Sequence, residues 1–496
     1  MSATSTAAPV DFIRQQAVAR ALRVFLPEPA VLFEHEDVKP YECDGLSAYR
    51  QVPMVVALPE NEQQVQRILQ TCYEMRVPVV ARGAGTGLSG GALPLGNGVL
   101  MSLAKMMRIL DIDRPSRTAR VQPGVRNLAI SEAAAPYGLY YAPDPSSQIA
   151  CSIGGNVAEN AGGMHCLKYG LTVHNIMKLR VFTIEGELVE IGGEGLDAAG
   201  YDLLALMTGS EGMLGVVTEI TVRLLPAPEY AQCVLAAFDD VNKAGNAVER
   251  IIAAGIIPAG LEMMDKITTG AVEPFVNAGY PLDAEAILLC ESDGNTQEVA
   301  EEIERMKAVM HASGATEVRV SHSEVERNRF WAGRKAAFPA AGRISPDYYC
   351  MDGTIPRKAL ARVLLAIAEL SKEYGLRCMN VFHAGDGNLH PLILYDANIP
   401  GELEKTEEFG AKILKLSIEV GGTITGEHGV GVEKIDSMCV QFNPLELETF
   451  HAVKAAFDEH TLLNPGKAVP TLRRCVEFGH MHVRAGQEKF PDLPRF

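Results

Sequence analysis

A strand, an amphipathic helix and a second strand follow one another from Pro53 to Arg82, and the second strand empties into "GAGTGLSGG". "PMVVALP" and "VPVVAR" are short apolar runs bounded by prolines, as buried strands are. Between them "NEQQVQRILQTCYEM" puts Val65, Ile68, Leu69 and Cys72 on one helical face. Gly85, Gly87 and Gly90 have the spacing GxGxxG. A Rossmann-type dinucleotide fold needs a helix to open at once after such a loop. Here "ALPLGNGVL" follows, with Pro94, Gly96 and Gly98, and no helix can start there. What survives is an anion-binding nest of inward-pointing backbone N–H groups, or a plain surface loop.

Two further segments favour the nest. "DPSSQIACSIGGNVAENAGG" carries Gly154, Gly155, Gly162 and Gly163, and "GSEGMLGVVTEI" carries Gly209, Gly212 and Gly215. Three glycine-rich stretches in one strand-rich half fit a large ligand laid along backbone, such as a dinucleotide. In the same half, residues 11–26 read as a helix and residues 128–137 as another. "KLRVFTIEGELVEI" reads as a hairpin turning at Glu185-Gly186, and the alternating "GVVTEITVRLLPAP" closes on prolines near Pro228. Beyond it, "CVLAAFDDVNKAGNAVERIIAAG" and "AEAILLCESDG" with the following helix repeat a strand–helix pattern. That pattern predicts an α+β unit with an antiparallel sheet and helices on one face.

At 496 residues the chain is long enough for two or three domains, and its 47% hydrophobic content supports large cores. A formal net charge of -17 argues against sequence-independent nucleic-acid binding, which needs a basic stripe. It also argues against direct docking on an anionic membrane. No charged leader followed by an apolar run opens the sequence, and no apolar stretch of about 18 residues occurs, so neither a signal peptide nor a membrane span is expected. The ten cysteines include no CxxC pair, which predicts reduced, mostly buried thiols and no on-board iron–sulfur cluster.

In "HAGDGNLH" two histidines, His383 and His390, stand at an odd spacing that would put them on opposite sides of one regular strand. A turn at Gly385-Asp386-Gly387 can fold them together. "GGTITGEHGVG" adds Glu427 and His428. Two histidines and a carboxylate make a zinc or iron(II) shell, but spacing alone equally allows unrelated histidines in turns and core.

Taken together, "VPVVARGAGTGLSGGA", "IGGNVAENAGG" and "GSEGMLGVVTEITVRL" closely resemble the FAD-binding domain of the vanillyl-alcohol-oxidase-like flavoproteins. "HAGDGNLHP", "TGEHGVG" and "NPGK" resemble the C-terminal domain of FAD-linked 2-hydroxy-acid dehydrogenases, a group that includes D-lactate, D-2-hydroxyglutarate and glycolate dehydrogenases. The match spans nearly the whole chain, and the last residues resemble the tail of the FAD subunits of bacterial glycolate oxidases. The resemblance implies a two-part FAD-binding domain of the vanillyl-alcohol-oxidase type over 50–228, after an N-terminal helical segment, 1–49. It further implies an α+β substrate and metal domain over 229–467, whose end returns to the flavin, and a tail, 468–496.

The resemblance also implies roles. FAD would lie along Arg82, Gly83, Ala84, Gly85, Thr86, Gly87, Leu88, Ser89, Gly90 and Gly91, with the pyrophosphate in this loop. Pro143, Asp144, Ser147, Gly154, Gly155, Asn156, Glu159, Asn160, Gly162 and Gly163 would hold more of it, as would Gly209, Glu211, Gly212, Gly215, Val216 and Val217. Asn464 and Lys467 complete the set. Thr86 stands near the position at which some relatives carry a flavin-linked histidine, so non-covalent FAD is implied. His383, His390 and Glu427 would bind a divalent metal, zinc or manganese. His428 would be the general base, Arg334 the carboxylate ligand, and Asn388 a substrate-orienting group.

The hydroxyglutarate enzymes have a lysine and a threonine for a second carboxylate, where this chain has Cys350 and Phe338. A short monocarboxylate is therefore expected, glycolate first and D-lactate next. Electrons would leave to companion flavin-type and iron–sulfur subunits, reaching the membrane only through those partners and from a cytoplasmic position. A metal-dependent hydrolase, or a non-catalytic flavin-binding subunit, is the competing class. The first leaves the glycine-rich segments unexplained, and the second leaves the base, ligands and arginine without a use.

Overall fold

The expected strand–helix–strand unit is formed by Val55–Ala57, Glu62–Glu74 and Val79–Arg82 in the computed structural model, which describes residues 11–195 and 200–471. The tail expected from 468 onward lies outside the described residues after 471. Both strands run parallel to Val99–Ser102, which lies between them. Parallel strands are covered on both faces. Val55, Val79, Val99 and Met101 pack under the helix residues Val65, Ile68 and Leu69. Val56, Val80 and Leu100 face the other way, against Val38. Asn61 caps the helix by accepting from Gln64 N. The N-terminal segment does more than form the helix Phe12–Arg23, because its Val31–Leu32 adds an antiparallel edge strand to this sheet.

A second, five-stranded antiparallel sheet holds Ile109–Asp113, Thr118–Val121, Val216–Arg223, Ile176–Phe182 and Leu188–Gly192, in that order. The last two form the hairpin expected at Glu185-Gly186. Val216–Arg223 alternates buried and half-buried residues, as its sequence alternates.

From Tyr230 the chain builds a seven-stranded sheet, antiparallel throughout. The expectation of helices on one face is corrected here. Val241–Ala253, Thr296–Ala312, Leu360–Tyr374 and Glu402–Glu419 cover one face, while Lys266–Val276, Glu324–Lys335 and Ala337–Ala341 cover the other. The cause is the unbroken apolar run in "CVLAAF". Val234, Ala236 and Phe238 join one core, and Cys233, Leu235 and Ala237 the other. Such a strand needs cover on both sides. The chain then returns to the first sheet. Leu463 bridges Val79 in parallel, and Asn464 N donates to Val79 O at 2.8 Å.

Candidate active site

One cavity of about 420 Å³ joins the two halves. Its floor is the loop after Arg82, with Gly83, Ala84, Gly85, Thr86, Gly87, Leu88 and Gly91 on the wall. The second glycine-rich segment contributes Ser147, Gly155, Asn156 and Glu159, and the third contributes Glu211. The opposite wall carries Lys335, Phe338, His390, Glu427 and His428. A smaller adjoining space of about 50 Å³ is lined by Arg82, Gly154, Gly212, Gly215, Val216 and Val217. A Cβ built on Gly87 would meet nothing within 4 Å, so the loop presents bare backbone to open space. Glycine-rich backbone from three segments and a mostly apolar wall are what a dinucleotide needs, and FAD fits these residues.

Other expected cofactor residues lie behind the wall and brace it. Ser89 O accepts from Val432 N and Glu433 N, and Gly90 O from Leu93 N. Pro143 O accepts from Asn127, Asp144 pairs with His165, and Asn160 caps its helix and accepts from Val173 N. Gly163 abuts Asp144, and Gly209 N donates to Val157 O. Gly162 leaves room for the Glu427 carboxylate, since a Cβ there would stand 2.3 Å from Glu427 Oε2. Asn464 Nδ2 donates to Gly91 O and Glu211 O, and Lys467 Nζ to Gly91 O and Leu93 O. These last two residues clamp the glycine loop from behind.

The histidine segment folds as the turn reading requires. Cys378–Phe382 leads into His383, whose N donates to Asn388 O at 3.0 Å, while Gly387 N donates back to His383 O at 3.0 Å. This tight hairpin brings the two rings edge to face with centroids 5.2 Å apart. Glu427 Oε1 lies 3.3 Å from His383 Nε2 and 3.2 Å from His390 Nε2. The ligand atoms of the three residues fall within 4.8 Å of one another. His390 Nε2 and Glu427 Oε2 are buried without hydrogen-bond partners. Buried orphan ligand atoms of this kind suit a zinc or manganese ion.

Gly387 makes the hairpin possible. Its φ is +85°, and a Cβ would stand 2.1 Å from Ile355 O. Gly387→Ala is expected to weaken divalent-ion binding about 10–100-fold, the size seen when the support of a metal ligand is disturbed. Competition against a chromophoric chelator would measure it, and unchanged affinity would contradict the role of the turn.

Two acidic residues that sequence reading missed hold this cluster. Glu262 Oε1 lies 2.6 Å from His383 Nδ1, and its Oε2 accepts from Arg334 Nε at 2.6 Å. A carboxylate behind a ligating imidazole fixes its tautomer and leaves Nε2 for the metal. Asp352 accepts from the backbone N–H groups of Gly426, Glu427 and His428, from Thr425 Oγ1 at 2.6 Å and from Lys434 Nζ at 3.3 Å. Asp352, His390 and His428 also lie close enough to hold an ion. With its oxygens engaged by these donors, Asp352 is instead the anchor of the "TGEHG" loop. The available signals were a lone glutamate in the apolar strand "GLEMMD" and a lone aspartate after "YYCM".

His428 stacks on His390 with centroids 4.8 Å apart and rings 4° from parallel. Burial, with the nearby His390, pulls its pKa down to about 4 against the opposing pull of Asp352 and Glu427. It is therefore a neutral ring at neutral pH, as a general base must be. Its Nδ1 is buried and unpartnered. Glu427 sits well below the carboxylate range. Burial would raise it, but His383 and His390 outweigh that.

Arg334 is 1% exposed and lies behind the cavity wall, with Nη1 and Nη2 buried and unpartnered. Asn388 is buried off the wall, with its side-chain oxygen against Gly426. Phe338 is on the wall, and Cys350 borders a separate space of about 100 Å³ that shares Leu88 with the main cavity. Eight cysteines, among them Cys43, Cys151 and Cys350, are free thiols, and all but Cys43 of the eight are buried.

Comparison with known proteins agrees with this geometry. Residues 53–192 match the FAD binding domain family, and residues 227–468 match the C-terminal domain of FAD linked oxidases. The chain is 64% identical over 484 residues to glycolate oxidase subunit GlcD of Escherichia coli K12, covering 98% of this chain and 97% of that one. It is 34% identical to a D-lactate dehydrogenase of Anaerostipes hadrus, over 88% of this chain and 94% of that one. In fold it is similar to 4-ethylphenol oxidase from Gulosibacter chungangensis, with a TM-score of 0.79 at 17% identity, covering 94% and 99% of the two chains. The chain belongs to the FAD-linked oxidases, with an FAD-binding fold of the vanillyl-alcohol-oxidase type.

Proposed function

We propose that this FAD-linked oxidoreductase oxidises a short 2-hydroxy acid, glycolate before D-lactate, to the 2-oxo acid. The observation that carries the reading is the single cavity that has glycine-loop backbone on one wall and His390, Glu427 and His428 on the other. FAD, held non-covalently along the three glycine-rich segments, would supply the hydride acceptor. A divalent ion, zinc or manganese, held by His383, His390 and Glu427, would supply positive charge to the substrate oxygens.

The protein's own groups do the rest. His428 takes the hydroxyl proton, with Nδ1 the free nitrogen. The two unpartnered Arg334 nitrogens are matched donors for one carboxylate. Glu262 holds both Arg334 and His383 and so fixes the carboxylate donor relative to the ion site. Asn388, whose side-chain oxygen is buried and unpartnered, helps orient the substrate. Phe338 gives the cavity wall an apolar face, which disfavours a second carboxylate.

The Escherichia coli relative is named as a subunit, which supports companion subunits as the electron acceptors. No described helix is long and apolar enough to cross a membrane. D-lactate stays as the second substrate because a 34% identical relative is named for it.

Anaerobic glycolate is expected to bleach the flavin band of the purified protein, D-lactate more slowly and D-2-hydroxyglutarate least. A chelator should abolish the bleaching, and added zinc or manganese should restore it. Equal rates on glycolate and D-2-hydroxyglutarate would overturn the substrate assignment. Bleaching indifferent to chelation would overturn the metal.

A further inference from the structure

Two carboxyl groups, Glu159 and Glu211, border the cofactor cavity side by side. Both abut the same two glycines. A Cβ on Gly91 would stand 2.6 Å from Glu159 Oε1 and 3.5 Å from Glu211 Oε2, and one on Gly429 would stand 2.1 Å from Glu159 Oε2 and 2.9 Å from Glu211 Oε1. Their surroundings differ. Glu211 accepts from Val430 N at 2.6 Å and from Gly431 N at 2.7 Å. Glu159 Oε2 is buried and has no hydrogen-bond partner among the described residues.

Two carboxylates sharing one site do not readily both ionise, and the one with N–H donors keeps the charge. Glu211 is that one. An ionised Glu159 would place charge on a carboxyl whose Oε2 is buried without a donor, which is costly. Burial, then Glu211 and Asp44, push Glu159 well above the carboxylate range, outweighing Lys434 and Lys467. Gly429 follows the base, His428. Hydride and proton leave one carbon–oxygen unit, so the flavin ring must lie at this end of the cavity.

We propose that Glu159 meets the bound flavin as a neutral carboxylic acid and donates a hydrogen bond to an acceptor atom of the ring, favouring the reduced cofactor. This rests on the FAD assignment. Reduction adds electron density to the ring's acceptor atoms, so the donated bond strengthens on reduction. Asparagine or glutamine can donate in the same way, and an aliphatic side chain cannot.

The test is the flavin midpoint potential of the holoenzyme in the wild type, Glu159→Gln and Glu159→Ala. Glu159→Ala is expected to prefer reduced flavin about tenfold less, which is about 30 mV lower for a two-electron couple. Glu159→Gln should stay near the wild type. Infrared difference spectra on flavin reduction should show a protonated-carboxyl band in the wild type that is missing from Glu159→Gln. This comparison decides even where the alanine variant does not fold. An unmoved potential in Glu159→Ala, an equal fall in Glu159→Gln, or no such band would overturn the proposal while leaving FAD in place. Wild-type protein purified from cells without flavin and unable to take up FAD would overturn the cofactor assignment as well.

Discussion

Replacement of His428 by asparagine is expected to slow flavin reduction by glycolate about 10²–10⁴-fold, the range associated with losing a positioned general base. The variant should keep its flavin and its metal. Its backbone N–H to Asp352 is retained, so the loop keeps its anchor. His390 loses its stacking neighbour but keeps the hairpin that aims it. Asparagine has no nitrogen that can take a proton near neutral pH. Anaerobic stopped-flow in the visible flavin band reads the step directly, since the acceptor ring is the cofactor's own. A rate within a few-fold of the wild type, with flavin and metal retained, would remove His428 from the role of base.

A larger structural loss is expected from Asp352→Ala. Burial would raise the Asp352 carboxylate, but Lys434 and His390 beside it are among the groups that hold it well below the usual carboxylate range, and it gathers three backbone N–H groups. Removing it leaves Lys434, which is 0% exposed, without its aspartate, and leaves the N–H groups of Glu427 and His428 without their carboxylate acceptor, while Gly426 N keeps the backbone carbonyl of residue 352. Breaking a buried pair from one side costs about 3–5 kcal/mol. The loss should concentrate in residues 425–434, where faster amide exchange than in the wild type would report it. Metal affinity and flavin reduction should fall together, because one loop carries both Glu427 and His428. His428→Asn should lower only the second, so the two variants separate anchoring from proton transfer. Native-like exchange in 425–434 after Asp352→Ala would sink the anchor role.

The contrast between these residues marks what a sequence can and cannot disclose. The strand–helix–strand unit, the hairpin at Glu185-Gly186 and the His383–His390 turn are local, and local periodicity and turn chemistry announce them. The glycine-rich segments were legible as a set because each repeats the same chemical oddity. Glu262 and Asp352 were not. Each is a single acid whose partners lie 121 and 76 residues away. No local pattern encodes a contact at that distance, and a lone buried acid in an apolar strand carries only the message that something must satisfy it. Arg334 was legible only through the resemblance, and its ion pair with Glu262, 72 residues away, was not legible at all. The second layer of helices was readable in "CVLAAF", whose unbroken apolarity leaves no strand face for water.

The parallel bridge between Leu463 and Val79, and the clamp of Asn464 and Lys467 on Gly91, carry a consequence for biosynthesis. A nascent chain that has cleared the ribosome as far as the third glycine-rich segment has exposed all three glycine-rich segments, yet it still lacks the residues that hold the first loop in shape. Firm capture of FAD is therefore expected only after residues 463–467 have been made. Truncation before Leu462 is expected to release a protein that has all its glycine-rich segments and no flavin.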